Sequence, residues 1–71
     1  MRIVIFVKGG EVTTVMADDE TVKVYLIDQD IQGVPAKNIV GEGGNRAVPS
    51  RVDVVVAPVV VQMTLKHYHL L

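Results

Sequence analysis

The chain has 71 residues, of which 49% are hydrophobic, 4% aromatic and 21% charged, with no cysteine and a formal net charge of -1. That length supports one small domain, 1–71, whose core buries only about 60% of the surface that the unfolded chain exposes. Disulfides and thiolate zinc sites are excluded, and the scattered basic and acidic residues leave no electrostatic footprint of a nucleic-acid binder.

Read in chain order, "MRIVIFVKGGEVTTVM" predicts a β-hairpin, with one strand over about 2–8 and the next over about 11–16. Gly9-Gly10 is a two-residue loop signal, because primed turns need a positive φ that glycine adopts without steric cost. In the first strand Ile3, Ile5 and Val7 share one face while Val4 and Phe6 share the other. Both faces are apolar, so both call for cover.

Asp18-Asp19-Glu20 forms an acidic turn into "TVKVYLID", where Val22, Val24 and Leu26 alternate with Lys23, Tyr25 and Ile27. The alternation predicts a half-buried third strand. "DQDIQG" ends it with turn formers, Gly33 being free to take a left-handed conformation. The following "VPAKNIVGEGGNRAVPS" reads as loop with at most a short hairpin around Gly43-Gly44, and "RVDVVVA" as a fourth strand over about 51–57.

The valine run Val54–Val61 is interrupted by Pro58, which would delete a ladder hydrogen bond inside a central strand. Two elements are therefore expected. Residues 59–71 fit a strand by their consecutive valines and a helix by Pro58 at its first position, where the missing N–H costs nothing. In the helix, Gln62, Lys66 and His69 make a narrow polar stripe, with Val59, Val60, Met63 and Leu70 on the opposite broad face. Architecture favours the helix, because a sheet apolar on one face needs a cover. The expected fold is α+β: a small antiparallel sheet of about four strands, beginning as a β-meander, with a short C-terminal helix. If that helix covers one face of the first strand, a symmetric second copy would cover the other.

The opening "MRIVIFVKGGEVTTVMADDETVKVYLID" resembles the start of small bacterial proteins often encoded on prophages and other mobile elements, through Gly9, Gly10, Asp18, Asp19, Val22, Val24, Asp28 and Asp30. The resemblance implies a strand, a proline and a short helix at the end, and carries no activity with it. The tail here departs from the pattern in lacking an acidic helix.

Four constellations bear on chemistry. Asp28-Gln29-Asp30-Ile31-Gln32-Gly33 is spaced like the start of a calcium loop, but the twelfth position, which should be a bidentate glutamate, is Ile39. An ordinary strand-ending turn is expected. Gly41–Arg46 is glycine-rich, yet "RAVPS" follows where a phosphate loop needs a helix N-terminus, so it reads as a hairpin loop. His67 and His69 could chelate as a strand pair, but no third ligand lies near in sequence, and a frayed polar terminus is expected. Ser50, the one serine, lacks nucleophile-elbow glycines. No catalytic, cofactor-binding or metal residues are assigned.

The apolar run Val54–Val61 is far shorter than the roughly 20 residues of a spanning helix, and Ile3–Val7 is shorter than the ~7–15-residue apolar region of a secretory signal. A soluble cytoplasmic protein is expected, with no membrane partner. The functional expectation is a non-enzymatic protein-interaction or accessory module acting as a homodimer. The alternative is nucleic-acid binding by Arg2, Lys8, Lys23, Lys37, Arg46 and Arg51, gathered by folding or dimerisation.

Overall fold

The computed structural model describes residues Met1–Leu71. Its first element is the hairpin of β1 (Ile3–Lys8) and β2 (Glu11–Ala17). Gly9 and Gly10 take φ of 59° and 77°, the left-handed pair that a type I′ turn requires and that matches the twist of the flanking strands. Val4 lies opposite Met16, Ile5 opposite Val15 and Phe6 opposite Thr14, after which a register shift brings Val7 opposite Val12. That extra residue in β2 is a β-bulge, which bends the strand and sharpens its twist.

The strand β3 (Val24–Asp28) begins later than the alternation alone suggests. Asp19 Oδ1 accepts hydrogen bonds from the Thr21 backbone N–H at 2.8 Å and from its hydroxyl at 2.7 Å. This tight local turn occupies the chain that would otherwise extend the strand. The same two bonds, the backbone one foremost, hold the Asp19 carboxyl below its ordinary pKa, since both stabilise the charged form.

The long connection holds two single 3₁₀ turns, Ala36–Asn38 and Gly43–Asn45, the second closing the short hairpin expected around Gly43-Gly44 through the paired Val40 and Ala47. Gly41 is obligatory there, with φ of 98° and a position where a Cβ would stand 2.5 Å from the Asn45 carbonyl oxygen.

The expected fourth strand over 51–57 is divided in the structure. β4 (Val48–Val52) pairs antiparallel with β3, and β5 (Val55–Val56) leaves that sheet to run parallel beside the end of β2. The strands thus form two sheets, of order β1-β2-β5 and β3-β4. After Ala57 the chain turns into α1 (Pro58–His67), with Pro58 in the first turn. The valine run is therefore a two-residue strand and the start of a helix, split at Pro58, and the α+β class stands.

Ala57 donates its N–H to the Ala17 carbonyl at 2.9 Å, and the Val61 N–H bonds the Ala57 carbonyl at 2.9 Å. This tether fixes which side of the helix meets the sheet. Val61, one turn past the tether, is buried with Val15, Met16 and Ala17, and Ala47 completes the set of fully buried residues. The core therefore lies at the C-terminal end of β2, under the first turns of α1.

Candidate interaction surface

The small core leaves much apolar surface outside. On α1 the inward side is Val61 with half-buried Thr64 and Leu65. Val59, Val60 and Met63, expected to form the broad apolar face, point away from the sheet and are 68%, 48% and 64% exposed. At about 100° per residue these three fall within one 100°-wide stripe, opposite Val61. The helix is apolar on two opposed sides, and one chain uses only one of them.

A similar division runs through β1. Val4 and Phe6 are half-buried, whereas Ile3, Ile5 and Val7 are exposed. The two-faced strand noted in the sequence has one face partly covered and the other open. Val55 and Val56 of β5 and the terminal Leu70 and Leu71 add to the open surface.

The magnitude of this exposure exceeds what a self-contained chain shows. A folded monomer of this mass, 7.7 kDa, exposes about 4,300 Å², while this chain exposes 5721 Å². Its radius of gyration is 14.8 Å, against about 11 Å for a compact chain of this length. The excess area, roughly 1,400 Å², is larger than the ~800 Å² that one partner buries in a standard protein–protein interface.

The other constellations are local structure. Asp28 Oδ1 accepts the Asp30 backbone N–H at 2.9 Å, and Gly33 has φ of 78°, so the calcium-like stretch ends β3 as a turn. Ser50 lies within β4, opposite Leu26, rather than in a loop. His67 is the last residue of α1, and its ring meets that of Tyr68 edge-on at 4.8 Å.

His69 has a role the sequence did not disclose. It is the one non-glycine residue at positive φ, 60°, and around it the Leu70 N–H bonds the Leu65 carbonyl at 2.8 Å while its own N–H bonds the Lys66 carbonyl at 3.1 Å. This is a Schellman closure with His69 at the position usually held by glycine. The terminus is capped rather than frayed, and the two histidines belong to different backbone conformations instead of one chelating pair.

The six basic residues of the alternative reading are spread over the fold. Arg2 and Lys8 flank β1 at opposite ends, about 20 Å apart along an extended strand. Lys8 stands across the hairpin from Glu11, and the Arg51 guanidinium lies 5.7 Å from the Tyr25 ring centroid. Lys37 is in the first 3₁₀ turn, Arg46 follows the second, and Lys23 precedes β3.

The largest surface hollow, about 320 Å³, lies between the start of β2 and the end of β3 and is lined by Gly10, Glu11, Val12, Leu26, Ile27 and Asp28. It holds carboxylates with neither a histidine nor a hydroxyl nucleophile beside them. No helix is long and apolar enough to cross a membrane. The fold and surface together define a small α+β domain whose most developed feature is exposed apolar area. Comparisons with protein-family models, curated proteins and solved structures find no match to this chain.

Proposed function

We propose that the chain is a non-enzymatic protein-interaction module acting as a homodimer in the cytoplasm, in the accessory role on a mobile element that its opening residues resemble. The observation that supports this reading is the apolar surface that one chain leaves open, above all Ile3, Ile5 and Val7 on β1, together with the outward stripe of Val59, Val60 and Met63 on α1. Apolar area of this kind is unfavourable in water by about 25 cal/mol per Å², and a second copy presenting the same surface removes it symmetrically.

Sedimentation at low micromolar concentration tests the reading, with a mass of twice 7.7 kDa expected. A well-folded monomer at that concentration would overturn it.

A further inference from the structure

The backbone of β1 offers a second, independent observation. Asp18 donates its N–H to the Arg2 carbonyl at 3.2 Å, and the Arg2 N–H turns the same way, to Asp18 Oδ1 at 2.8 Å. Backbone groups alternate sides along a strand, so the even residues Arg2, Val4, Phe6 and Lys8 face β2. The N–H and C=O groups of Ile3, Ile5 and Val7 therefore face outward along the free edge, since β1 is the terminal strand of its sheet.

Natural edge strands are blunted by proline, by a central charge or by shortness. β4 carries Pro49, β5 has only two residues, and β3 has five, ending on Asp28. β1 has six residues, no proline, and its lysine only at the last position. It is the longest terminal strand of the fold without proline or an internal charge.

We infer that β1 pairs with β1 of a second copy, antiparallel about a two-fold axis through Ile5, joining the two three-stranded sheets into one of six strands. This rests on the homodimer reading and specifies how the copies meet. Parity requires an outward residue to pair with an outward residue. Of the symmetric registers, the one centred on Ile5 places Ile5 against its copy and each Ile3 against the other chain's Val7, and so satisfies every outward N–H and C=O of the three. It also sets β-branched side chains in direct cross-strand contact on the uncovered face, the favourable pairing for a sheet. With Ile3, Ile5 and Val7 all aliphatic and β-branched, the strand presents the same kind of side chain on both sides of its centre and is complementary to its own copy, which favours a second copy over a foreign peptide. The excess exposed area of each chain exceeds what one partner buries in a standard dimer.

The same register brings Arg2 opposite Lys8 of the other copy. These like charges are each flanked by an acid of their own chain, Arg2 by Asp18 and Lys8 by Glu11, so the repulsion is reduced rather than removed. Added salt screens what remains, and dimerisation through this edge should strengthen modestly between low and physiological ionic strength.

Amide hydrogen exchange on the unaltered protein, measured residue by residue below and above the dimerisation midpoint, is the test. Exchange at Ile3, Ile5 and Val7 should slow by about tenfold or more as dimer forms. A dimer by mass in which these three amides still exchange as freely as in the monomer would overturn the edge pairing and leave the homodimer reading intact. A monomer at every concentration, with protection appearing only on adding a foreign strand peptide, would overturn both. Ile5→Pro is the companion variant: its N–H serves no bond within the chain, so the fold should persist while dimerisation weakens at least about tenfold. If that variant does not fold, the exchange rates of the unaltered protein still decide.

Discussion

Ile5 and Val15 stand directly opposite each other on one face of the β1–β2 hairpin, yet Ile5 is 53% exposed and Val15 only 2%. The cover over this face ends between the two strands. Val15 belongs to the core, while Ile5, a bulkier residue at the same level of the sheet, is left in water.

That boundary assigns different outcomes to neighbouring charges. Ile5→Glu should leave the stability of the single chain within about 0.5 kcal/mol, as for exposed sites, and abolish dimerisation at micromolar concentration. Phe6→Glu, on the half-buried face, should cost about 3 kcal/mol or more by burying an unpaired carboxylate. Thermal melts and sedimentation of the two variants side by side check this; equal loss of fold in both would show that the two faces are not distinct.

Gly9 and Gly10 are both in the left-handed region, and a Cβ at either would meet nothing within 4 Å. Any cost of substitution there is backbone strain alone. Replacing both by valine should lower stability by about 1–3 kcal/mol, whereas asparagine at either position should cost much less. The melting temperature reports the difference, and an unchanged value for the double valine variant would exclude the primed turn.

His69 occupies the glycine position of a helix C-cap, so His69→Gly should stabilise the chain by about 0.5–1 kcal/mol by relieving positive-φ strain. Few single changes to glycine raise stability. A lower melting temperature would mean that the imidazole makes a contribution outweighing its strained backbone.

The lowered pKa of Asp19 gives the chain a pH dependence of known sign. A carboxyl whose folded pKa lies below its unfolded one stabilises the fold above the unfolded value and loses that contribution as pH falls through the folded one. The difference in melting temperature between the wild type and Asp19→Ala should therefore be present at neutral pH and vanish well below the ordinary value of 3.8. A difference that persists undiminished in acid would show that the carboxylate charge is not its source.

The parts of this fold that can be read from sequence are those decided within a few residues. Gly9-Gly10 between two β-branched runs dictates a hairpin, and Pro58 divides the valines because a single residue lacks an N–H. The joining of Val55 and Val56 to β2, and hence the split into two sheets, depends on where Asp53 and Val54 carry the chain, which no local pattern records. The orientation of α1 was also hidden. A helix apolar on two sides has no periodicity that chooses between them, and the choice falls to the bond between Ala57 and Ala17. Likewise the two faces of β1 are equally apolar on paper, so the need for cover was legible while the uncovered face was not. His69 escaped notice because the cap motif is usually announced by glycine.

The parallel pairing of Met16 with Val55 also orders events in time. The β1–β2 hairpin closes over two residues and can form in microseconds, whereas bringing β5 to β2 closes a loop of about 40 residues at an entropic cost of about 3 kcal/mol. Pulse-labelled amides should therefore become protected along β2 before Val55 and Val61, and simultaneous protection would refute the sequence of steps. During that interval β2 is a finished strand, and Met16 and Ala17 expose to water the backbone groups that the mature chain pairs with β5.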